Sequence, residues 1–382
     1  MALSLTSQLY HKSAGREIRY KVTGLSSPDG TATQGNVKAF SLIENMHAEI
    51  RGQIDVRLAG RWNAVPWSNF GIPALTLSAE YVDNGTIVHT ENLGNYYVHE
   101  SDYDEGADEH VIRAFSQESF LRDSKFNIDD LSGSTLAGEP CDQLIRRYIG
   151  MALPDGMDNS FTDNVACTGK TVLIDQLRGL QGVSRLTAID NLINRYDARI
   201  YADRNNDFIV GKRNTRTTLI SSSYVNMGQF NRLVKTVNIK TDREQWYNAV
   251  SLKYWWSNGD TTSVTNAYAR IKETNLSGTA QPMAPRYSGE KIFHQEISGG
   301  TTQVNANIEA KNLLDSLIRR GELLTMTMAL VPGIQPGQYV TYDGRTWLLS
   351  KTNFDFITDE MTLEFELYTS GQTLENYTPT VS

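Results

Sequence analysis

Residues 322–350 read "ELLTMTMALVPGIQPGQYVTYDGRTWLLS", and this stretch decides the fold class. Apolar and polar residues alternate from Leu324 to Leu330, which is the period of a strand with one buried face. Asp343-Gly344 then marks a tight hairpin turn between two further extended runs. Strands of this kind form antiparallel sheets, sandwiches or barrels rather than the parallel sheets of nucleotide-binding proteins.

The same alternation recurs near the other end of the chain. Apolar residues occupy every second position from Leu75 to Tyr81, and the Asn84-Gly85 pair that follows is the strongest short hairpin signal. The first 125 residues are therefore predicted to be mostly strands. The segment 36–54 is ambiguous, because a helix suits its pattern as well as a strand does.

Residues 126–215 change to the period of helices. One helix is predicted after Pro140, and Gly150 is expected to end it. Its buried stripe comprises Leu144, Ile145, Tyr148 and Ile149. A second helix is predicted after Ser184 as its N-cap, and it leads into a hairpin at 197–210. Its buried stripe comprises Leu186, Ile189, Leu192, Ile193 and Tyr196.

Strands return after residue 216 around one long helix, at about 304–320, with Gly321 as its C-cap. The inward side of this helix is predicted to comprise Val304, Ile308, Leu314, Leu317 and Ile318. Arg319 and Arg320 are expected to face the negative end of the helix. Together these patterns predict an α+β fold that is mainly antiparallel β.

Composition excludes several classes of protein. The 382-residue chain has a net charge of −8, and its 36 Lys and Arg residues are scattered, whereas duplex binding depends on clustered basic side chains. Cys141 and Cys167 show neither metal-ligand spacing nor a disulfide framework. No apolar run is long enough for a signal peptide or a membrane span, so we expect a protein made in a cytoplasm.

One short motif suggests nucleotide binding. Gly169-Lys170-Thr171 ends like a P-loop, in which backbone N–H groups surround a phosphate. However, Asn164 occupies the position of the first glycine, and a polar, turn-rich segment stands where a buried strand should be. We interpret the match as chance.

The remaining candidate sites are acidic. The stretch 100–109 lies between His99 and His110 and is interpreted as a solvated loop, with a divalent-metal site as the alternative. Residues 203–208 begin like a calcium loop, but Phe208 stands where glycine must turn the chain. No catalytic spacing of histidines or nucleophiles occurs, so no enzyme activity, metal or cofactor is predicted.

Three tryptophans are candidates for contact with partners. Alternation in the strand at 248–256 puts Trp255 on its polar side, and aromatic residues are enriched at interface centres. The alternative is that another part of the chain covers Trp255. Trp62 and Trp67 lie in the segment 37–70, which matches no pattern, and they are candidates for a protein interface or for stacking on sugar rings.

Three stretches carry a resemblance to a known family: 95–124, a strand, acidic turn and strand that lead to Leu121; 184–210, a helix that runs into a hairpin; and 305–367, a helix followed by strands and a Pro-Gly turn. In this order they resemble the baseplate hub and tail-tip hub proteins of tailed bacteriophages, a group that includes late-control D proteins and the hub part of type VI secretion spike proteins. The resemblance spans most of the chain.

The resemblance implies two tail-tube-like β-barrel domains with a smaller helical domain between them. We expect an N-terminal barrel at 1–125, a helical domain with a hairpin at 126–215, a second barrel-like domain at 216–370 and a loose C-terminal tail at 371–382.

The resemblance also implies a function. We expect a non-enzymatic virion component, a homotrimeric ring that joins the sixfold tail tube, or a distal tail protein, to a threefold central spike or tail-tip protein. DNA would pass through its lumen without specific binding. The alternative is a receptor- or carbohydrate-binding tail component.

Overall fold

The computed structural model describes the chain over the ranges 16–26, 37–64, 74–127, 139–155, 157–164, 167, 181–193, 198–212, 224–225, 233–241, 244, 246–257, 262–298, 302–368 and 372–376. These residues form mainly antiparallel sheet with few helices, which confirms the predicted fold class at that level. None of the helices in these ranges is long and apolar enough to span a membrane.

The strands are, in chain order, β1 Arg16–Thr23, β2 Leu25–Ser26, β3 Val37–Asn45, β4 Gly52–Ala59, β5 Asn63–Ala64, β6 Ala74–Asp83, β7 Thr86–Asp104, β8 Glu109–Phe115, β9 Phe161–Asp163, β10 Ala198–Ala202, β11 Phe208–Lys212, β12 Tyr224–Val225, β13 Val234–Thr241, β14 Ala249–Ser257, β15 Thr262–Ile271, β16 Ile292–Ser298, β17 Glu322–Ala329, β18 Tyr339–Tyr342, β19 Arg345–Asp355, β20 Glu360–Leu367 and β21 Leu374–Asn376. The helices are α1 Glu118–Asp123, α2 Cys141–Ala152, α3 Arg185–Ile193, α4 Pro285–Ser288 and α5 Gln303–Arg320.

The largest sheet combines strands from both ends of the chain. Its order is β1-β6-β7-β8-β4-β3-β19-β20-β17-β13, with β12 and β18 attached at β19. One apolar core, which includes Leu42, Leu77, Trp347 and Phe365, lies against it. The strands of the two predicted barrel regions thus share one sheet and one core. The two-barrel arrangement and the domain boundaries stay predictions.

The period-two patterns are confirmed. In β6, Leu75, Leu77, Ala79 and Tyr81 are all buried. The turn between β6 and β7 has positive φ angles at Asn84 and Gly85, as the hairpin signal predicts. The ambiguous segment 36–54 forms strand β3, a turn and the start of β4 rather than a helix.

The helical unit packs α1, α2 and α3 against the small sheet β10-β11-β9. The predicted stripe of α2 is buried, and the N–H of Thr187 donates to Ser184 Oγ at 3.1 Å, which confirms the N-cap. Gly150 does not end α2, which continues to Ala152. A helix interior tolerates glycine, and an added Cβ at Gly150 would lie 2.9 Å from Asn159 Nδ2. Tyr196 lies outside the described residues.

A third layer packs α5 on the sheet β16-β14-β15-β21. The predicted inward side of α5 is wrong in its first turns, because Val304 and Ile308 are exposed and Ala306 and Ala310 face the sheet instead. Two further predictions are corrected. Arg319, predicted to face the negative end of α5, is instead buried between two carboxylates, with Nε 3.1 Å from Asp315 Oδ2 and Nη1 3.6 Å from Glu366 Oε1. Within the predicted loose tail, β21 pairs with β15.

Candidate assembly interface

Eight neighbouring strands of the large sheet form what we call the strand arc: β7, β8, β4, β3, β19, β20, β17 and β13. Four of them come from the N-terminal and four from the C-terminal part of the chain. The two halves join at the antiparallel pair β3–β19, where Asn45 lies opposite Lys351 and Ser41 opposite Asp355. One face of the arc covers the apolar core, since alternate residues of each strand point to opposite faces.

The other face of the strand arc is polar and more acidic than basic. Its acidic residues include Asp55, Glu100, Asp102, Asp104, Glu109, Asp355, Glu360 and Glu364, and its basic residues include Arg57, Arg113, Lys235, Lys240 and Lys351. Arg113 bridges two strands, with Nε 3.0 Å from Asp55 Oδ1 and Nη1 2.7 Å from Glu100 Oε2. Within the described residues this face therefore carries local ion pairs, and its basic side chains do not form a cluster of the kind that binds nucleic acid.

Strand β7 gives the arc an acidic end. It pairs with β6 only as far as Tyr97, opposite Ala74, and its remaining residues pair with β8 alone among the described strands. Among the described strands, residues 98–104 therefore form an edge of the arc, and Glu100, Asp102 and Asp104 are exposed along it. We call this segment the acidic edge.

The hairpin at the acidic edge is held by its own polar groups. The N–H of Gly106 donates to Asp104 Oδ1 at 2.8 Å, and Tyr103 donates through its hydroxyl to Asp108 at 2.8 Å. The latter hydrogen bond raises the pKa of Tyr103. Among the residues that the structure describes, no group of three or more His, Cys, Asp and Glu side chains is placed to hold a metal ion.

Strand β13 gives the arc its other end. It pairs with β17 on one side and with no further strand in the described ranges. Val237 and Ile239 lie opposite buried residues of β17 but are 37% and 41% exposed, because the core ends there. Lys240 and Lys235, the latter in an ion pair with Glu360 of β20, make this end more basic than the other, and we call β13 the basic edge.

Trp255 lies on the outer face of β14, opposite the face that packs against α5. It is 42% exposed and pairs across the sheet with Val264, which is 49% exposed. Beside them Lys253 Nζ lies 2.9 Å from Glu296 Oε1. No described part of the chain covers this aromatic patch, so the interface role of Trp255 stays a prediction.

The other two tryptophans differ from Trp255. Trp62 is buried at 5% exposure; its backbone N–H donates to His110 Nδ1 at 2.9 Å, and its indole N–H donates to the Ala59 carbonyl at 2.9 Å. In this conformation its ring packs in the core of the arc and offers no surface to a partner or a sugar. Trp67 lies outside the described residues.

A buried ion pair fixes the helical unit to the strand arc, and sequence patterns missed it. Arg204, at the tip of the β10–β11 hairpin, donates to both carboxylate oxygens of Glu44 on β3, at 3.0 and 2.7 Å. It also donates to the carbonyls of Pro332 and Ile334 at 2.9 and 3.2 Å. Burial would lower the pKa of Arg204, but Glu44 reverses this effect and raises it. We call this contact the hairpin lock.

Of the two short sequence motifs, only the calcium-loop-like one lies within the described residues. Within 203–208, Asp203 Oδ1 accepts the N–H groups of Asn205 and Asp207 at 2.8 and 3.0 Å, an ordinary turn. The P-loop-like residues 169–171 lie outside the described ranges. The N–H of Asn164, just before them, donates to the carbonyl of Val210 at 2.9 Å, next to the short parallel pair β9–β11.

Comparisons with known proteins identify the fold. The sequence matches no protein-family model and none of the curated proteins. Its structure is similar to the 43 kDa tail protein of prophage MuSo2 from Shewanella oneidensis, with a TM-score of 0.59 and 12% identity over 94% of this chain and 100% of that chain. It is also similar to the tail protein from Neisseria meningitidis MC58, with a TM-score of 0.56 and 13% identity over 91% and 96%. The chain thus has the fold of phage tail proteins, which confirms the predicted resemblance at the level of fold.

Proposed function

We propose that the protein is the structural hub of a phage tail baseplate or tail tip, and that three copies form a ring between a sixfold tail tube and a threefold central spike. The strand arc carries this proposal. Each copy places two four-stranded units side by side, joined at β3–β19. A ring of three copies would therefore contain six similar units. Such a ring could contact a sixfold tube on one side and a threefold spike on the other.

The two ends of the arc support contacts between copies. Both ends are strand edges, and exposed edges are sites where another chain can pair. The acidic edge carries Glu100, Asp102 and Asp104, whereas the basic edge carries Lys235 and Lys240. Opposite charges favour contact between unlike edges and disfavour contact between like edges. Such a head-to-tail contact closes into a ring when the rotation between copies allows it.

The polar face of the arc is the proposed wall of the lumen. Its excess of acidic side chains would repel the phosphate backbone, so DNA would pass without specific binding. The tail tube or distal tail protein and the spike or tail-tip protein would bind the two rims of the ring, and the patch of Trp255 and Val264 is a candidate contact. In this role the protein is non-enzymatic, is made in the host cytoplasm and resides in the virion.

The ring is tested by the mass of the assembly in solution. Light scattering coupled to gel filtration should show a trimer, alone or with the spike or distal-tail partner. The double variant Glu100→Lys/Asp102→Lys should shift the mass to a monomer without a loss of folding, because it reverses two exposed charges and makes the acidic edge net positive, like the basic edge. Adding Lys235→Glu and Lys240→Glu should restore the trimer.

The matched control is Glu290→Lys, which reverses an exposed charge outside the arc. It should leave the trimer intact. A chain that stays monomeric with its partners present would contradict the ring. A trimer that is insensitive to charge reversal at both edges would contradict the proposed contact between the edges.

A further inference from the structure

A polar cavity of about 400 Å³ lies where the three layers of the protein meet. The turn between β3 and β4 contributes His47 and Arg51, the helical unit contributes Glu118 and Tyr201, and α5 contributes Glu309. This volume falls in the range of small-molecule sites, which measure roughly 300–1,000 Å³. The cavity is independent of the edges proposed for the ring.

Two buried polar side chains that line this cavity have no hydrogen-bond partner among the described residues. Glu118 has no exposed surface, and neither of its carboxylate oxygens accepts a hydrogen bond. Ser316, on α5, is 1% exposed, and its hydroxyl is likewise unmatched. Native proteins almost always pair such groups, so an unmatched carboxylate beside a cavity points to a missing donor.

Arginine side chains nearby do not supply that donor. Arg51 donates to the carbonyl of Pro336 at 3.1 Å and lies 4.9 Å from the centre of the Tyr201 ring. Arg199 donates to the carbonyl of Ala48 at 3.4 Å. Neither makes an ion pair within 4 Å of Glu118 in the described structure.

The charge of the lining indicates the class of ligand. Its carboxylates are Glu49, Glu118, Asp190 and Glu309, and its guanidinium groups are those of Arg51 and Arg199. Carboxylates therefore outnumber guanidinium groups, and the unmatched carboxylate can only accept hydrogen bonds. A metal ion fits poorly, because no described group of three or more ligating side chains converges. A cation with several N–H donors satisfies these conditions.

We propose that this cavity binds a small organic cation with a primary ammonium group, and that the buried carboxylate of Glu118 and the hydroxyl of Ser316 turn toward the cavity to accept hydrogen bonds from it. An ammonium group has three donors and no acceptor, so it complements these atoms. The bound cation would contact the strand arc, the helical unit and the α5 layer together. It would thereby stabilise the arrangement of the three layers.

The test uses 1,4-diaminobutane as the probe and the full-length chain. We expect a saturable rise in Tm with the diamine and none with 1,4-butanediol at the same concentration, since the diol lacks the charge. Isothermal titration calorimetry should show that Glu118→Gln weakens binding by about 10- to 100-fold, the loss of a charged hydrogen-bond partner. Ser316→Ala should weaken it by about 2- to 10-fold.

The control Glu290→Gln removes an exposed carboxylate and should bind the diamine as the wild type does. Without the diamine, Glu118→Gln should raise the Tm, because it removes an unpaired buried charge. If Glu118→Gln does not fold, Ser316→Ala decides the result. Equal binding by the wild type and the Ser316 and Glu118 variants, or no saturable response at matched ionic strength, would overturn the proposal and leave a cavity filled by water only.

Discussion

The core of the strand arc and the hairpin lock are both buried, but they stabilise different parts of the structure. The core consists of apolar side chains such as Leu42, Trp347 and Phe354, which have no exposed surface. Their burial is non-directional and stabilises the sheet as a whole. The lock of Glu44 and Arg204 depends on aligned hydrogen bonds, so it specifies where the helical unit sits. Apolar burial thus supplies stability here, and the buried charges supply position.

Among the changes considered, Trp347→Ala in the core of the strand arc should cause the largest loss of stability. The side chain is fully buried and donates through Nε1 to the Tyr342 carbonyl at 3.2 Å. Its removal is expected to lower the free energy of unfolding by about 3–5 kcal/mol, measured by urea denaturation. The matched control Trp255→Ala, at a 42% exposed site, should cost less than about 1 kcal/mol. Equal losses would contradict the assignment of Trp347 to the core.

Glu44→Gln tests the lock at nearly constant volume. Arg204 would keep a neutral acceptor but lose its charge partner, so we expect a loss of about 2–3 kcal/mol in the free energy of unfolding. The exposed pair Lys235–Glu360 provides the control, because Glu360→Gln should cost about 0–1 kcal/mol.

Hydrogen exchange in the same variant distinguishes a displaced helical unit from a general loss of stability. In Glu44→Gln, the amides of the hairpin 198–212 should exchange faster, while those of β19 and β20 stay protected. Uniformly faster exchange in both regions would show that the lock contributes to the core rather than to the placement of the helical unit.

The smallest effect on stability is expected from a change in pH, through His110, which contacts Trp62. Burial lowers the pKa of His110 below its ordinary value near 6.5. As the pH falls below that value, the unfolded chain binds a proton before the folded chain does. The free energy of unfolding therefore decreases as the pH is lowered. Protonation of Nδ1 would also break the hydrogen bond from the Trp62 N–H at 2.9 Å.

Thermal melting over a pH series measures this effect. The Tm difference between wild type and His110→Gln should narrow or reverse as the pH falls below about 6.5. A constant difference across the series would show that His110 does not titrate differently in the folded and unfolded states. His99→Gln serves as the control, because the His99 side chain is 49% exposed and its Nδ1 lies 3.5 Å from Asp123 Oδ2 at the surface.

Sequence patterns predicted the strand arc well where one face of a strand is buried. Leu75 and Leu77 in β6, and Met326 in β17, follow a period of two because the core repeats at that spacing. The pattern failed on α5. There Ala306 and Ala310 meet the sheet, since small side chains allow close approach, and the larger Val304 and Ile308 point to solvent.

The contacts that position the layers could not be predicted in this way. Glu44 and Arg204 are 160 residues apart; Glu44 lies in the ambiguous segment 36–54, and Arg204 lies in a polar turn. Trp62 gave no signal of burial, because its partner His110 lies 48 residues away. Glu118 lies in a polar run, "SQES", which gives no signal of burial. Such contacts depend on topology rather than on periodicity.

The β3–β19 pair also has a consequence for synthesis of the chain. Glu44 and Thr352, which face each other across this pair, are 308 positions apart. At roughly 5–20 residues per second, the ribosome would expose β3 on the order of tens of seconds before β19 emerges. During that interval the edge of β3 lacks its native neighbour, and such long-range pairing folds slowly. We therefore expect a nascent chain that depends on protection by chaperones until its last strands are made.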